Sequence, residues 1–121
     1  MRFNKSTSIS SAKKALDLES IAIKKLSDCV PEDFSSFIEK IFHLQGRIII
    51  SGVGKSGHIG KKIASTLAST GTPSFFIHST EASHGDLGMI QPGDICLLIS
   101  NSGEAKELFD ILQYIKNFST I

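Results

Sequence analysis

Three short stretches carry side chains whose types and spacing could do chemistry. They are Gly52-Val53-Gly54-Lys55-Ser56-Gly57, Glu81-Ala82-Ser83-His84-Gly85-Asp86 and Ser100-Asn101-Ser102-Gly103-Glu104, with Glu107 just beyond the last. The first suits an anion. It follows the apolar run Ile48-Ile49-Ile50 and precedes a helical pattern, so it sits where a strand's carboxyl end meets a helix's amino end. There the free backbone N–H groups and the positive end of the helix dipole favour negative charge, and glycines allow close approach. Ser51 and Ser56 add hydroxyls, and Lys55 could neutralise a phosphate or polarise a carbonyl. Ser100, Asn101 and Ser102 repeat the same logic at a second helix start. Capping would explain one such loop; two on neighbouring strands point to phosphate. His84 lies between two acids, Glu81 and Asp86, that could orient it for proton transfer. Glu107 falls beside Leu108 and Ile111 on the stripe that faces the sheet. Partial burial there would raise its pKa toward a base's working range, while simple helix-dipole stabilisation would suit Glu104 and Glu107 equally.

Spacing separates the known glycine loops. A nucleotide P-loop needs a glycine five residues before its Gly-Lys-Ser, where this chain has Ile49 inside a strand. Gly52-x-Gly54-x-x-Gly57 fits the dinucleotide fingerprint, but the acid required about 20 residues on is replaced by Ile77 and His78. A monophosphate cradle needs only the loop, the helix start and nearby hydroxyls. The plain alternative is a tight turn whose glycines serve helix–sheet packing.

The elements that must position these residues alternate. Ser10 or Ser11 would cap a first helix running to about Asp28, with Ala12, Leu16, Ile23, Leu26 and Val30 on one stripe and Ala15, Leu18 and Ala22 on another. An apolar helix with two such sides suits packing on its own domain and on a second copy. Pro31 suits the first turn of a second helix that turns Phe34, Phe37, Ile38, Ile41 and Phe42 inward and ends at Gly46. After the central strand, Ile59, Ile63, Leu67 and Thr70 mark a helix face, closed by Gly71 in a left-handed cap and by Pro73. Ser74–His78 and Ile95–Ile99 read as further strands, separated by the Pro92-Gly93 turn. Glu104–Ile115 reads as a last helix with Leu108, Ile111, Leu112 and Ile115 inward. Strands alternating with helices predict a parallel sheet. The fold class expected is therefore α/β, with about three strands preceded by N-terminal helices over residues 1–45. Three parallel strands leave an apolar edge, so the sheet reads as incomplete.

Composition bounds the rest. The 121 residues allow one domain at most, with 40% hydrophobic and 21% charged residues and a net charge of +1. Without a basic stripe, a nucleic-acid partner has no electrostatic support. No apolar run approaches a membrane span, and residues 1–11 lack a signal peptide's apolar segment. Cys29 and Cys96 read as free thiols. The expectation is a cytoplasmic protein with neither a nucleic-acid nor a membrane partner.

The stretches SGVGKSGHIGKKIASTLASTGTPSFF, EASHGDLGM and ISNSGEAKEL resemble the sugar isomerase (SIS) domain family, and within it the KpsF/GutQ-type arabinose-5-phosphate isomerases. The resemblance covers residues 10–117. It implies a three-layer αβα SIS domain, residues 1–121 forming a single partial copy, and interconversion of D-arabinose 5-phosphate and D-ribulose 5-phosphate on the route to lipopolysaccharide. It places the family's lysine on Lys55, its histidine on His84 and its glutamate on Glu107. Gly54, Gly71, Thr72 and His78 match substrate contacts, and Ser56, Ser100, Asn101 and Ser102 match the phosphate loops. His84 matches a position that also takes an inhibitory or adventitious metal; no cofactor is implied. Ala105 stands where relatives often carry a hydroxyl. The family implies a homo-oligomer, a tetramer, and members continue through two more strands, a second histidine and usually paired CBS domains, none of which lies in these residues. SIS domains also serve as phosphosugar-binding modules in regulators, which would not need Lys55, His84 and Glu107 together. An inactive fragment is the third reading.

Overall fold

The computed structural model describes residues 4–118, which divide into two compact units, one ending at Glu39 and one starting at Lys40. The first unit is helical. Helix α1 (Lys5–Ser27) starts earlier than expected, because Asn4 rather than Ser10 or Ser11 caps it. The Asn4 carboxamide oxygen accepts from the Ser6 and Thr7 N–H groups at 3.0 and 3.2 Å, satisfying two donors that otherwise lack helical partners. No residue of α1 is buried, so Leu16, Ile23 and Leu26 lie exposed along it. Pro31 stays outside helix α2 (Phe34–Phe42), in a turn whose carbonyl accepts from the Phe34 N–H.

Helix α2 ends four residues before Gly46 and does not turn its whole apolar face inward. Phe34, Phe37, Ile38 and Phe42 are exposed. Ile41 and Leu44, by contrast, pack into the second unit's core. That unit is a three-stranded parallel sheet, β1 (Ile48–Gly52), β2 (Ser74–His78) and β3 (Ile95–Ile99), in the order β2-β1-β3. Consecutive isoleucines suit the central strand, since both of its faces are covered. Ile48 and Ile50 face one layer with Ala64, Ile63 and Leu67 of helix α3 (Gly54–Ser69). Ile49 faces the other, with Ile77, Ala82, Ile90, Leu108 and Ile111. That second layer holds helix α4 (Ser79–Ser83), 3₁₀ turns at Asp86–Met89 and Lys106–Leu108, and helix α5 (Phe109–Lys116). All three isoleucines are at most 1% exposed, each worth about 1.5–3 kcal/mol of burial.

Helix α3 packs through Ile63 and Leu67, as its hydropathy suggests, and through small residues that hydropathy does not mark. Ile59 is exposed, whereas Gly57, Gly60 and Ala64 are buried. A Cβ on Gly60 would lie 3.0 Å from the Phe76 ring and 3.1 Å from Ile50, so the missing side chain sets how closely helix and sheet approach. Gly71 takes the expected left-handed cap, at φ +94°. At the amino edge of the sheet, Arg47 and Asp94 form a two-pronged ion pair, and the guanidinium also donates to the Met89 carbonyl at 2.8 Å. Burial alone would push the Asp94 carboxyl up. The Arg47 hydrogen bond and charge, with backbone N–H groups of Gln91 and Arg47, outweigh it and hold the group below its ordinary value. No described helix is long and apolar enough to cross a membrane.

Candidate functional site

Strand order locates the crevice. The chain steps from β1 outward to β2 and then back across to β3, so the connections diverge between β1 and β3. In open parallel sheets ligands bind at that divergence, beyond the carboxyl ends of the strands. Register pairs Gly52 with Ile99 on one side and with His78 on the other, so the segments following all three residues start side by side.

The β1 segment is tighter than a generic turn. Helix α3 begins at Gly54, so Lys55 and Ser56 sit in its first turn rather than in a loop ahead of it. Val53 precedes the helix and offers no side-chain cap. The Gly57 N–H reaches the Val53 carbonyl at 3.3 Å, while those of Gly54, Lys55 and Ser56 remain the helix's free donors. Gly52 is wedged against backbone: an added Cβ would stand 3.1 Å from the Ile99 oxygen and 3.2 Å from the Gly57 nitrogen. Lys55 is exposed and among the described residues enters no ion pair. Ser51 does not belong to the cradle. Strand alternation turns it to the α4/α5 layer, where it is 1% exposed and its hydroxyl has no partner.

The β3 segment is a loop of its own, not the helix start expected at Glu104. The Ser100 Oγ accepts from the Gly103 N–H at 3.0 Å, and the Ser102 Oγ from the Glu104 N–H at 3.2 Å. Gly103 at φ +74° and the extended Ala105 hold the chain out of helix until Lys106. Both hydroxyls use a lone pair internally and keep the O–H to donate, which suits an oxyanion. Asn101 is exposed between them.

Glu107 departs from its expected setting. It lies in the 3₁₀ turn, and while Leu108 and Ile111 are buried, Glu107 is exposed, so the burial expected to tune it is absent. A 3₁₀ turn changes the phase of the face, which a continuous α-helix from Glu104 would have kept. His84 closes α4, and its backbone N–H donates to the Glu81 carbonyl at 2.9 Å. Neither the Glu81 nor the Asp86 carboxylate bonds its exposed ring, so the acids do not orient it. Helix α4 packs against the Lys106–Leu108 turn, which brings the elements carrying His84 and Glu107 together. Among the described residues no group of three His, Cys, Asp or Glu side chains clusters around His84 or elsewhere as a metal site.

His78 ends β2 on the face that carries Phe76, and its ring meets Phe76 edge-on at 6.3 Å. Gly71 and Thr72 stand apart from the others. They follow the last turn of α3 at the amino edge, the Thr72 N–H bonding the Leu67 carbonyl. One strand length, about 13 Å for four steps, separates that edge from the crevice, so the fold does not bring them to it within the chain. Thr80 is a neighbour of His78 that the sequence reading did not single out. Its hydroxyl lies 2.7 Å from His78 Nδ1.

Comparison with known proteins bears on the family and the fold. A family model described as the SIS domain matches residues 41–120. Arabinose 5-phosphate isomerase KdsD of Yersinia pestis is 53% identical over 104 residues, covering 86% of this chain and 32% of the relative. An uncharacterised protein of Rickettsia prowazekii is 50% identical, covering 89% of this chain and 34% of the relative. The chain thus spans about a third of the length of these curated relatives. Among solved structures, an Escherichia coli CFT073 protein in complex with arabinose 5-phosphate superposes with a TM-score of 0.90 at 43% identity, covering 97% of this chain and 62% of that one. A Listeria monocytogenes protein described as a putative sugar-phosphate isomerase superposes at 0.91 with 29% identity, covering 96% and 61%. With the family match running through the whole sheet and the loops that follow β1 and β3, the chain belongs to the SIS domain family.

Proposed function

We propose that this chain is the phosphosugar-binding part of an aldose–ketose isomerase that interconverts D-arabinose 5-phosphate and D-ribulose 5-phosphate. Residues 1–45 are then a helical lead-in to one partial SIS domain. One observation carries the reading: the uncapped start of α3 and the Ser100–Gly103 loop flank the β1/β3 divergence, which offers two sets of donors to one phosphate. Charge-assisted hydrogen bonds are roughly twice as strong as neutral ones, so the phosphate anchors the sugar. The Escherichia coli neighbour in complex with arabinose 5-phosphate supports this class of ligand.

The chemistry moves one proton between C2 and C1. A base takes the C2 proton of the aldose as the C1 carbonyl oxygen gains one, giving a cis-enediol. Return of a proton to C1, with loss of the O2 proton, leaves the ketose. Glu107 or His84 handles the proton, and Lys55 stabilises the enediolate oxygen. Self-association accords with the exposed apolar side chains of α1. The exposure of both Glu107 and His84 favours one second reading, a module that binds pentose phosphates without turning them over. Exchange of the C2 proton of arabinose 5-phosphate with solvent deuterium separates the two. Exchange that falls in Glu107→Gln or His84→Ala while affinity holds supports the isomerase, and binding without exchange supports the module.

A further inference from the structure

We propose that Thr80 is a positioning residue that sets which nitrogen of His78 faces the sugar phosphate. This rests on the reading of the carboxyl-edge crevice as a pentose-phosphate site. Three observations bear on the ring. Its Nδ1 lies 2.7 Å from the Thr80 hydroxyl, which is the ring's hydrogen-bond partner. Its face is held by the edge-on Phe76 ring, itself packed under Gly57 and Gly60 in the first turns of α3. Its backbone pairs with Gly52 at the last rung of the β1–β2 ladder, beside the glycine turn. The imidazole is therefore flanked by Phe76 and hydrogen-bonded through Nδ1 to Thr80.

With Nδ1 engaged, Nε2 is the nitrogen left to a ligand. Which ring nitrogen carries the proton is set by the bond the other makes. A threonine hydroxyl that donates to Nδ1 leaves the proton on Nε2 and makes it a donor toward a sugar oxygen. Without that hydroxyl the neutral ring exchanges between both forms, and only a fraction presents N–H. Thr80 reaches His78 across two residues because α4 begins immediately after β2, folding the chain back over the strand end. The histidine touches the sugar, and Thr80 acts through it.

The test uses Thr80→Val, which removes the hydroxyl and keeps the shape, and Thr80→Ser, which restores it. The first readout is the ring 15N spectrum of His78 in the unliganded chain, with imidazoles neutral. Wild type and Thr80→Ser show the proton on Nε2, and Thr80→Val shows a mixture. The second is affinity for arabinose 5-phosphate beside inorganic phosphate. Thr80→Val weakens the sugar phosphate in proportion to the rings that lose the Nε2 proton, about twofold for an even mixture, and leaves inorganic phosphate unchanged. Thr80→Ser matches wild type for both. An identical ring spectrum in Thr80→Val overturns the proposal, and so does an altered spectrum with unchanged sugar affinity. A wild-type chain whose ring responds to Thr80 but which binds no arabinose 5-phosphate overturns the pentose-phosphate reading instead.

Discussion

Gly57→Ala should damage both the fold and the phosphate site, and its size follows from one close approach. A Cβ at Gly57 would lie 2.7 Å from the Gly52 carbonyl oxygen, 3.3 Å from its carbon and 3.4 Å from the Phe76 ring. Ordinary contact begins at 3.4 Å, so the first turn of α3 must retreat from β1 by about 0.7 Å. The obstacle is backbone, which cannot swing aside as a flexible side chain would. Overpacking of this kind costs roughly 1–3 kcal/mol, and alanine's better helix propensity returns about 1. The net loss is roughly 0–2 kcal/mol, and a loss of about 1 kcal/mol would lower the thermal midpoint by roughly 4–8 °C. In the proposed site, a retreat of that size would carry the N–H donors of Gly54, Lys55 and Ser56 away from the phosphate and lengthen those hydrogen bonds. Scanning calorimetry with and without inorganic phosphate should therefore show a lower midpoint and a smaller phosphate-induced rise. Gly88→Ala is the control, since a Cβ there meets nothing within 4 Å. A Gly57→Ala chain that melts and responds to phosphate like wild type would refute the close-approach argument.

Three further outcomes follow from the same geometry. Ser102→Ala should weaken binding of a pentose 5-phosphate by about 1 kcal/mol or somewhat more, measured by calorimetric titration, while an unphosphorylated pentose shows no difference. Asp94, held below its ordinary value of 3.8, contributes stability that is fully present above that pH and is lost as pH falls through the folded value. The stability gap between wild type and Asp94→Asn should therefore stay constant above pH about 5 and narrow below about 4; a gap independent of pH down to acid unfolding would contradict the paired carboxylate. A thiol reagent at pH about 8 should label exposed Cys29 before Cys96, whose thiol burial and the Asp94 charge push up to about 11. Equal rates, read by peptide mass mapping, would contradict that.

The strands were legible because their signals are local and strong. Ser74–His78 and Ile95–Ile99 fall where β-branched and aromatic runs meet Pro73 and Pro92-Gly93. Helix faces were read less well where packing depends on absent side chains. Gly57 and Gly60 have no hydropathy to register, so the expected face kept Ile63 and Leu67 but took exposed Ile59 where the glycines make the contact. Asn4 was hidden as a cap by the run of serines after it, any of which has the right chemistry. The loops of the site were legible as compositions, not as conformations. Nothing in Ser100–Glu104 tells an α-helix start from the φ +74° turn at Gly103, and that difference puts Glu107 on an exposed 3₁₀ turn. Strand order was not readable at all, yet it locates the divergence beside β1. Gly71 and Thr72 lie at the far edge because they precede a strand that runs parallel to β1.

The central claim, that the β1/β3 crevice holds the phosphate of a pentose 5-phosphate, is tested most directly by mapping backbone amides. The chain, uniformly 15N-labelled, is titrated with arabinose 5-phosphate and, separately, with arabinose. The account predicts that the phosphorylated sugar shifts the amides of Gly54–Gly57 and Ser100–Gly103 most, with smaller changes at His78, and that arabinose shifts none of them. Equal shifts with both sugars, or shifts that leave these two loops unmoved, would contradict it.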